Sequence, residues 1–235
     1  MTFRHLFCLL FLLLGLGIAG AQETTAAPTQ ADLDRAAELN RQGVAAFKDA
    51  HGNKKKLKMA ADILEEGIAL GGPTVYDSTL ALAHTRRGLE EPAAALAAAR
   101  HLIEVLPPAH PVAKEARVLL CQVRLRYKEP AAPQAGAAPA PVKAEGEVQN
   151  PVKIAGLEPR YPADMRARGQ QGEVVFKGIV DHEGCIANLE TVSTANKQIE
   201  RSMRDAVGTW TFLPATLGGR PVAVYYSVTS NFNPR

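Results

Sequence analysis

Residues 172–192 read GEVVFKGIVDHEGCIANLETV, and the reading of this stretch decides the fold of the last third of the chain. Gly172 opens a run through Asp181 that is rich in β-branched and aromatic residues, the composition of a strand. Asp181-His182-Glu183-Gly184 is a turn in which glycine supplies a positive φ. Cys185–Val192 then alternates into a second strand, so the two form a hairpin. Downstream, Ile199, Met203, Ala206 or Val207, and Trp210 recur at helical spacing, which gives a helix one apolar face to lay on the sheet. The lone tryptophan completes that core. After Pro214-Ala215 and the turn Leu217-Gly218-Gly219-Arg220, the segment Pro221–Phe232 is strand-like again.

Upstream the periodicity changes. Residues 31–128 carry apolar and small residues at intervals of three and four, such as Ala36, Leu39, Gly43, Ala46 and later Val112, Ala116, Leu119, Val123, Tyr127, which predicts amphipathic helices. Breakers at Gly52-Asn53, Gly71-Gly72-Pro73, Glu91-Pro92, Pro107-Pro108 and Pro111 divide the region into five segments of one helix each. Pro92 and Pro111 suit a first helical turn, where a missing amide proton costs little. Ala60-Ala61, Ile68, Leu70 and Pro73 recur 35 residues later as Ala95-Leu96, Ile103, Val105 and Pro108. A period near this value marks stacked helix pairs. The segment resembles a short tetratricopeptide-like array of two pairs and a closing helix, although the signature aromatics of that repeat are largely missing; an ordinary five-helix bundle is the alternative. Lys54-Lys55-Lys56-Leu57-Lys58 reads as the solvated start of a helix.

Residues 129–150, with Pro130, Pro133, Pro139 and Pro141 and no apolar periodicity, read as a linker whose extended length of roughly 70 Å would let the flanking domains move independently. At the other end, Arg4 and His5 precede an uncharged apolar run, Leu6–Ala21, that closes on Ala19-Gly20-Ala21. This is the pattern of a cleaved secretory signal over residues 1–21. The alternative is an uncleaved membrane anchor through residues 6–21, although the run falls short of the ~20 residues needed to cross hydrocarbon. Export would leave Cys121 and Cys185 as the only cysteines, one in each domain. Cys121 reads as a packed thiol, and no bridge between the two is expected.

The net charge of +3 is not concentrated: residues 22–128 hold 15 Lys/Arg against 13 Asp/Glu, and residues 151–235 hold 10 against 8. That spread leaves no electrostatic footprint for nucleic acid. The six histidines are dispersed without metal-ligand spacing. His182-x-x-Cys185 lacks further partners, Ser193 and Ser227 lack a glycine elbow, and Asp181 and Glu183 read as solvated turn residues. No catalytic residue, metal, cofactor or small-molecule substrate is therefore expected, and the chain does not read as an enzyme.

The motif residues of the last third follow one order: Tyr161-Pro162, Arg168-Gly169, Gly172-x-Val174, Val180-Asp181-x-x-Gly184, then Trp210-x-Phe212-x-Pro214-Ala215-x-x-x-Gly219-x-Pro221-Val222. This order resembles the TonB C-terminal domain family over about 75 residues and does not extend to the helical region. The resemblance implies a small antiparallel sheet of about three strands with two helices on one face. Together with the periodicity and composition upstream, the chain reads as α+β overall: a helical array over 31–128, a Pro/Ala-rich linker over 129–150 and a TonB C-terminal-like domain over 151–235.

The resemblance also implies that the last strand lies at a sheet edge and captures the N-terminal segment of an outer-membrane transporter by strand addition, in a periplasmic protein supporting TonB-dependent transport. The expected contact residues are Tyr161, Pro162, Val222, Val224, Tyr225, Tyr226, Val228 and Thr229. A complete membrane-anchored energy transducer is an alternative, and so is a scaffold or homodimer formed by edge-to-edge pairing. Another envelope protein could also be the partner.

Overall fold

The computed structural model describes residues 28–132 and 140–233, so the segment expected to be a signal or anchor lies outside the described residues. Five helices come first: α1 (Gln30–Asp49), α2 (Lys54–Leu70), α3 (Val75–Gly88), α4 (Pro92–Val105) and α5 (Pro111–Tyr127). Their starts follow from local chemistry. Thr29 and Asp32 form a reciprocal capping box on α1, and the Asn53 side chain accepts the Lys55 and Lys56 amides at the head of α2. The lysine cluster therefore opens a helix, as its composition predicts. Pro92 and Pro111 lie in the first turns of α4 and α5.

Each helix packs on the next, and α3 also touches α1 and α5, so the odd-numbered helices line one side of the array. The 35-residue repeat maps α2 onto α4. Its alanines explain the close stacking, since Ala60, Ala61, Ala95 and Ala99 are all buried.

The second half contains β1 (Val152–Ala155), α6 (Ala163–Ala167), β2 (Gly172–Val180), β3 (Ile186–Thr194), α7 (Lys197–Val207), β4 (Thr211–Leu213), β5 (Ala215–Leu217), β6 (Arg220–Val222) and β7 (Val224–Phe232). The main sheet is antiparallel with strand order β3-β2-β7, accompanied by two small pairs, β1-β4 and β5-β6. The chain is thus α+β. Strand alternation sends Val174, Phe176, Val180, Val224 and Phe232 to one face, where Met165 of α6 and Ile199, Met203 and Val207 of α7 cover them. Trp210 and Phe212, two residues apart, join the same core and meet edge to face.

Several expectations are corrected. Pro221–Phe232 is not one strand: Val222 ends β6, where it pairs with Ala215, and the main-sheet strand starts only at Val224. Residues 140–150 are not a free tether, because Val142, Ala144 and Val148 pack on the sheet core and Gln149 exchanges main-chain hydrogen bonds with Thr216. Cys121 of α5 and Cys185 at the head of β3 form a disulfide, although they are 64 residues apart and no bridge was expected. Asp181 and Glu183 are buried rather than solvated. The last two departures share one cause, which is that the β2–β3 turn is pressed against the helical array.

Candidate functional site

The sheet has two edges, and they differ. β3 pairs with β2 through two register irregularities and contains Asn188 in the left-handed region at φ 49°. Arg204 of α7 also donates to the Leu189 carbonyl at 3.0 Å. Bulges and an occupied carbonyl blunt an edge against further pairing. β7, in contrast, pairs with β2 in unbroken register from Val224↔Val180 to Phe232↔Gly172.

The direction of each main-chain group on β7 follows from its neighbours. The Val142 amide donates to the Ala223 carbonyl at 2.9 Å, and the Tyr225 amide donates to the Val142 carbonyl at 3.1 Å, so residues 223 and 225 point away from β2. Alternation along an antiparallel strand carries the same direction to Ser227, Thr229 and Asn231, while Val224, Tyr226, Val228 and Ser230 bond inward to β2. The opposite side of β2 agrees, since its odd-numbered Glu173 carbonyl faces the β3 end and accepts the Ala195 amide at 3.0 Å. Among the described residues, no segment pairs with the outward groups of Ser227, Thr229 and Asn231.

The side chains expected to make contact divide accordingly. Tyr225 and Thr229 are exposed, Tyr225 by 58 %. Val224 is wholly buried, and Tyr226 and Val228 are half-buried against the core. Burial raises the Tyr226 phenol above its ordinary range. Val222 belongs to the β5-β6 hairpin. Tyr161 packs edge-on against Phe232 and its hydroxyl donates to the Gln170 carbonyl, so it braces the end of β7 from the core side. Pro162 caps α6 and lines a cleft of about 310 Å³ with Arg160, Gln198 and Arg201.

Residues 158–234 match the family model for the Gram-negative bacterial TonB protein C-terminal. They form a TonB C-terminal domain. Relatives include Protein TonB of Xanthomonas campestris pv. campestris, 33 % identical over 75 residues, which is 32 % of this chain and 34 % of that protein. Protein TonB of Vibrio cholerae is 33 % identical over 70 residues, 29 % of each chain. The chain thus spans about a third of the length of the curated relatives it matches. A solved structure, the solution NMR structure of the Pseudomonas aeruginosa TonB CTD, aligns with a TM-score of 0.32 and 23 % identity over 38 % of this chain and 88 % of that one.

The TonB C-terminal domain is clasped by the helical array at its β2–β3 turn. Asp181 shapes the turn by accepting the Glu183 and Cys185 amides on Oδ1, both at 3.0 Å. Glu183 then receives Arg100 Nε at 2.7 Å and Arg124 Nη1 at 2.8 Å, while Arg117 Nη1 donates to the Glu183 carbonyl at 2.7 Å. Arg124 Nη1 also lies 2.7 Å from Asp181 Oδ2, close enough for an ion pair but not aligned for a hydrogen bond. Burial lowers the Arg117 guanidinium, opposed by the Glu183 and Asp181 charges.

Sequence reasoning missed this clasp. Its one legible trace was Arg117 and Arg124, two charges seven residues apart on the otherwise apolar face of α5. His182-x-x-Cys185 is not a ligand pair, since Cys185 is spent in the disulfide. Among the described residues no group of three His, Cys, Asp or Glu could hold a metal ion, and no helix is long and apolar enough to cross a membrane.

Proposed function

We propose that the TonB C-terminal domain captures an extended N-terminal segment of an outer-membrane transporter by adding it as a strand to the outer edge of β7, in a periplasmic protein that supports TonB-dependent transport. The carrying observation is the contrast between the two edges. β3 is bulged and partly occupied, whereas β7 runs in unbroken register and turns its Ser227, Thr229 and Asn231 main-chain groups outward. Such groups pair with any extended chain, and neighbouring side chains supply selectivity. The family match and the TonB relatives support a transporter as the partner. The edge residues are uncharged, which suits a segment recognised through main-chain pairing more than through ion pairs.

The direct test is Thr229→Pro in the full chain, which deletes an outward donor without touching the β2 ladder. Binding to a transporter N-terminal peptide should weaken about three- to tenfold, the loss of one net hydrogen bond. Unchanged affinity with unchanged circular dichroism contradicts the proposal. Light scattering separates the self-pairing alternative, in which a tight dimer would use the same edge.

A further inference from the structure

The first rung of the β7 edge is already taken. Val142 lies parallel to β7, donating to the Ala223 carbonyl and accepting the Tyr225 amide, and its side chain packs on the sheet core. Running parallel, the chain after Val142 is headed along the free part of the edge, yet it does not continue there. The Glu145 amide turns back to the Lys143 carbonyl at 2.9 Å, Gly146 sits at φ 65°, and the Val148 amide reaches the Glu145 carbonyl at 3.3 Å. The segment is then pinned on the far side of the turn. Gln149 and Thr216 exchange two main-chain hydrogen bonds, at 2.8 and 3.1 Å, and a side-chain one at 3.0 Å.

We propose that Val142 is the register stop of the capture edge. This rests on the strand-addition reading and adds to it a limit on the length and position of the visiting segment. Pairing ends where the strap leaves β7, so a captured strand is left the Tyr225 carbonyl and the outward groups of Ser227, Thr229 and Asn231. Because outward groups recur at every second residue, three such rungs need about five residues of partner. A longer partner gains nothing unless it displaces Val142, and that requires lifting a half-buried side chain off the core as well as breaking two hydrogen bonds. The strap is anchored beyond the turn at Gln149, so it cannot simply swing aside. The stop selects partners whose pairing segment is short and whose flanking chain leaves the edge at the Tyr225 end.

The test measures affinity of the full chain for a nested series of labelled, uncharged Thr-Val peptides of five, seven and nine residues. In the native chain affinity should level off at five residues. In Val142→Pro, which removes the donor to Ala223, and in Val142→Gly, which loosens the core anchor, it should rise a further five- to tenfold between five and seven residues. Tyr225 amide exchange, slow in the native chain, should become fast in the free variants, which verifies that the rung has opened in a folded protein. If all chains bind but level off at the same length, the stop is overturned and strand addition stands. If none binds any peptide, the strand-addition reading itself is overturned and the stop falls with it.

Discussion

Gly184 has φ 87°, and a Cβ built on it would lie 2.0 Å from the Phe212 carbonyl oxygen, a main-chain atom that cannot swing away. The Gly184 carbonyl accepts the Phe212 amide at 2.9 Å, so the close approach is what joins the turn to β4. Gly184→Ala should therefore destabilise the fold by about 1–3 kcal/mol from backbone conformation alone, with the clash adding to it; urea unfolding measures the sum. The need for positive φ was legible from the turn pattern, whereas the Phe212 contact was not, because it joins residues 28 positions apart through main-chain atoms that carry no compositional signal.

His84 offers a pH test at the same scale. Burial holds its imidazole below the ordinary 6.5, helped by the Arg87 charge and opposed by Glu115. The folded state then binds fewer protons than the unfolded one just below pH 6.5, so stability rises with pH in that window. Acidification from pH 7 through 6.5 towards the lowered folded value should weaken the chain, and His84→Gln should flatten that slope in thermal unfolding.

At the scale of elements, the alternation of β2 and β3 and the amphipathic helices were plain in the sequence, because each buries one face and the period reports it. The start of the last strand was less so. Pro221–Phe232 has strand composition throughout, and the break at Ala223 comes from Val222 pairing with Ala215 across a tight hairpin, a local competitor that composition does not rank. The packed half of the linker was hidden for a related reason: Val142, Ala144 and Val148 are too few and too unevenly spaced to show a period, yet each finds the sheet core. The edge geometry yields a paired prediction. Thr229→Pro should reduce peptide affinity and leave folding nearly intact, since its amide faces outward. Val224→Pro, whose amide faces β2, should instead lower stability by about 1–3 kcal/mol, as the terminal ladder bond and a wholly buried side chain are both disturbed. Equal effects of the two on binding and stability would mean that the inward and outward assignments are wrong.

For the whole molecule, the consequence of the clasp is that the helical array and the TonB C-terminal domain are not independent bodies on a loose tether. The Cys121–Cys185 bond and the Arg100, Arg117 and Arg124 contacts to the β2–β3 turn hold the array at the end of the sheet where β7 begins, beside the Val180↔Val224 pair. Two cysteines in separate regions could not announce this, because pairing depends on a three-dimensional approach that spacing does not encode. Closing a loop of 64 residues restricts the unfolded chain, so replacing both cysteines by serine should cost about 4 kcal/mol. Small-angle scattering of that variant should stay compact, since the arginine clasp remains; an expanded profile would assign the rigidity to the disulfide alone.

Strand capture requires the outer edge of β7 to be the surface that a partner strand meets. Amide hydrogen exchange of the full chain, with and without a transporter N-terminal peptide, tests this residue by residue. Slowed exchange is predicted at Ser227, Thr229 and Asn231, with Ile186–Thr194 of β3 unchanged. Protection appearing along β3, or binding that leaves those three β7 amides exchanging freely, would contradict it.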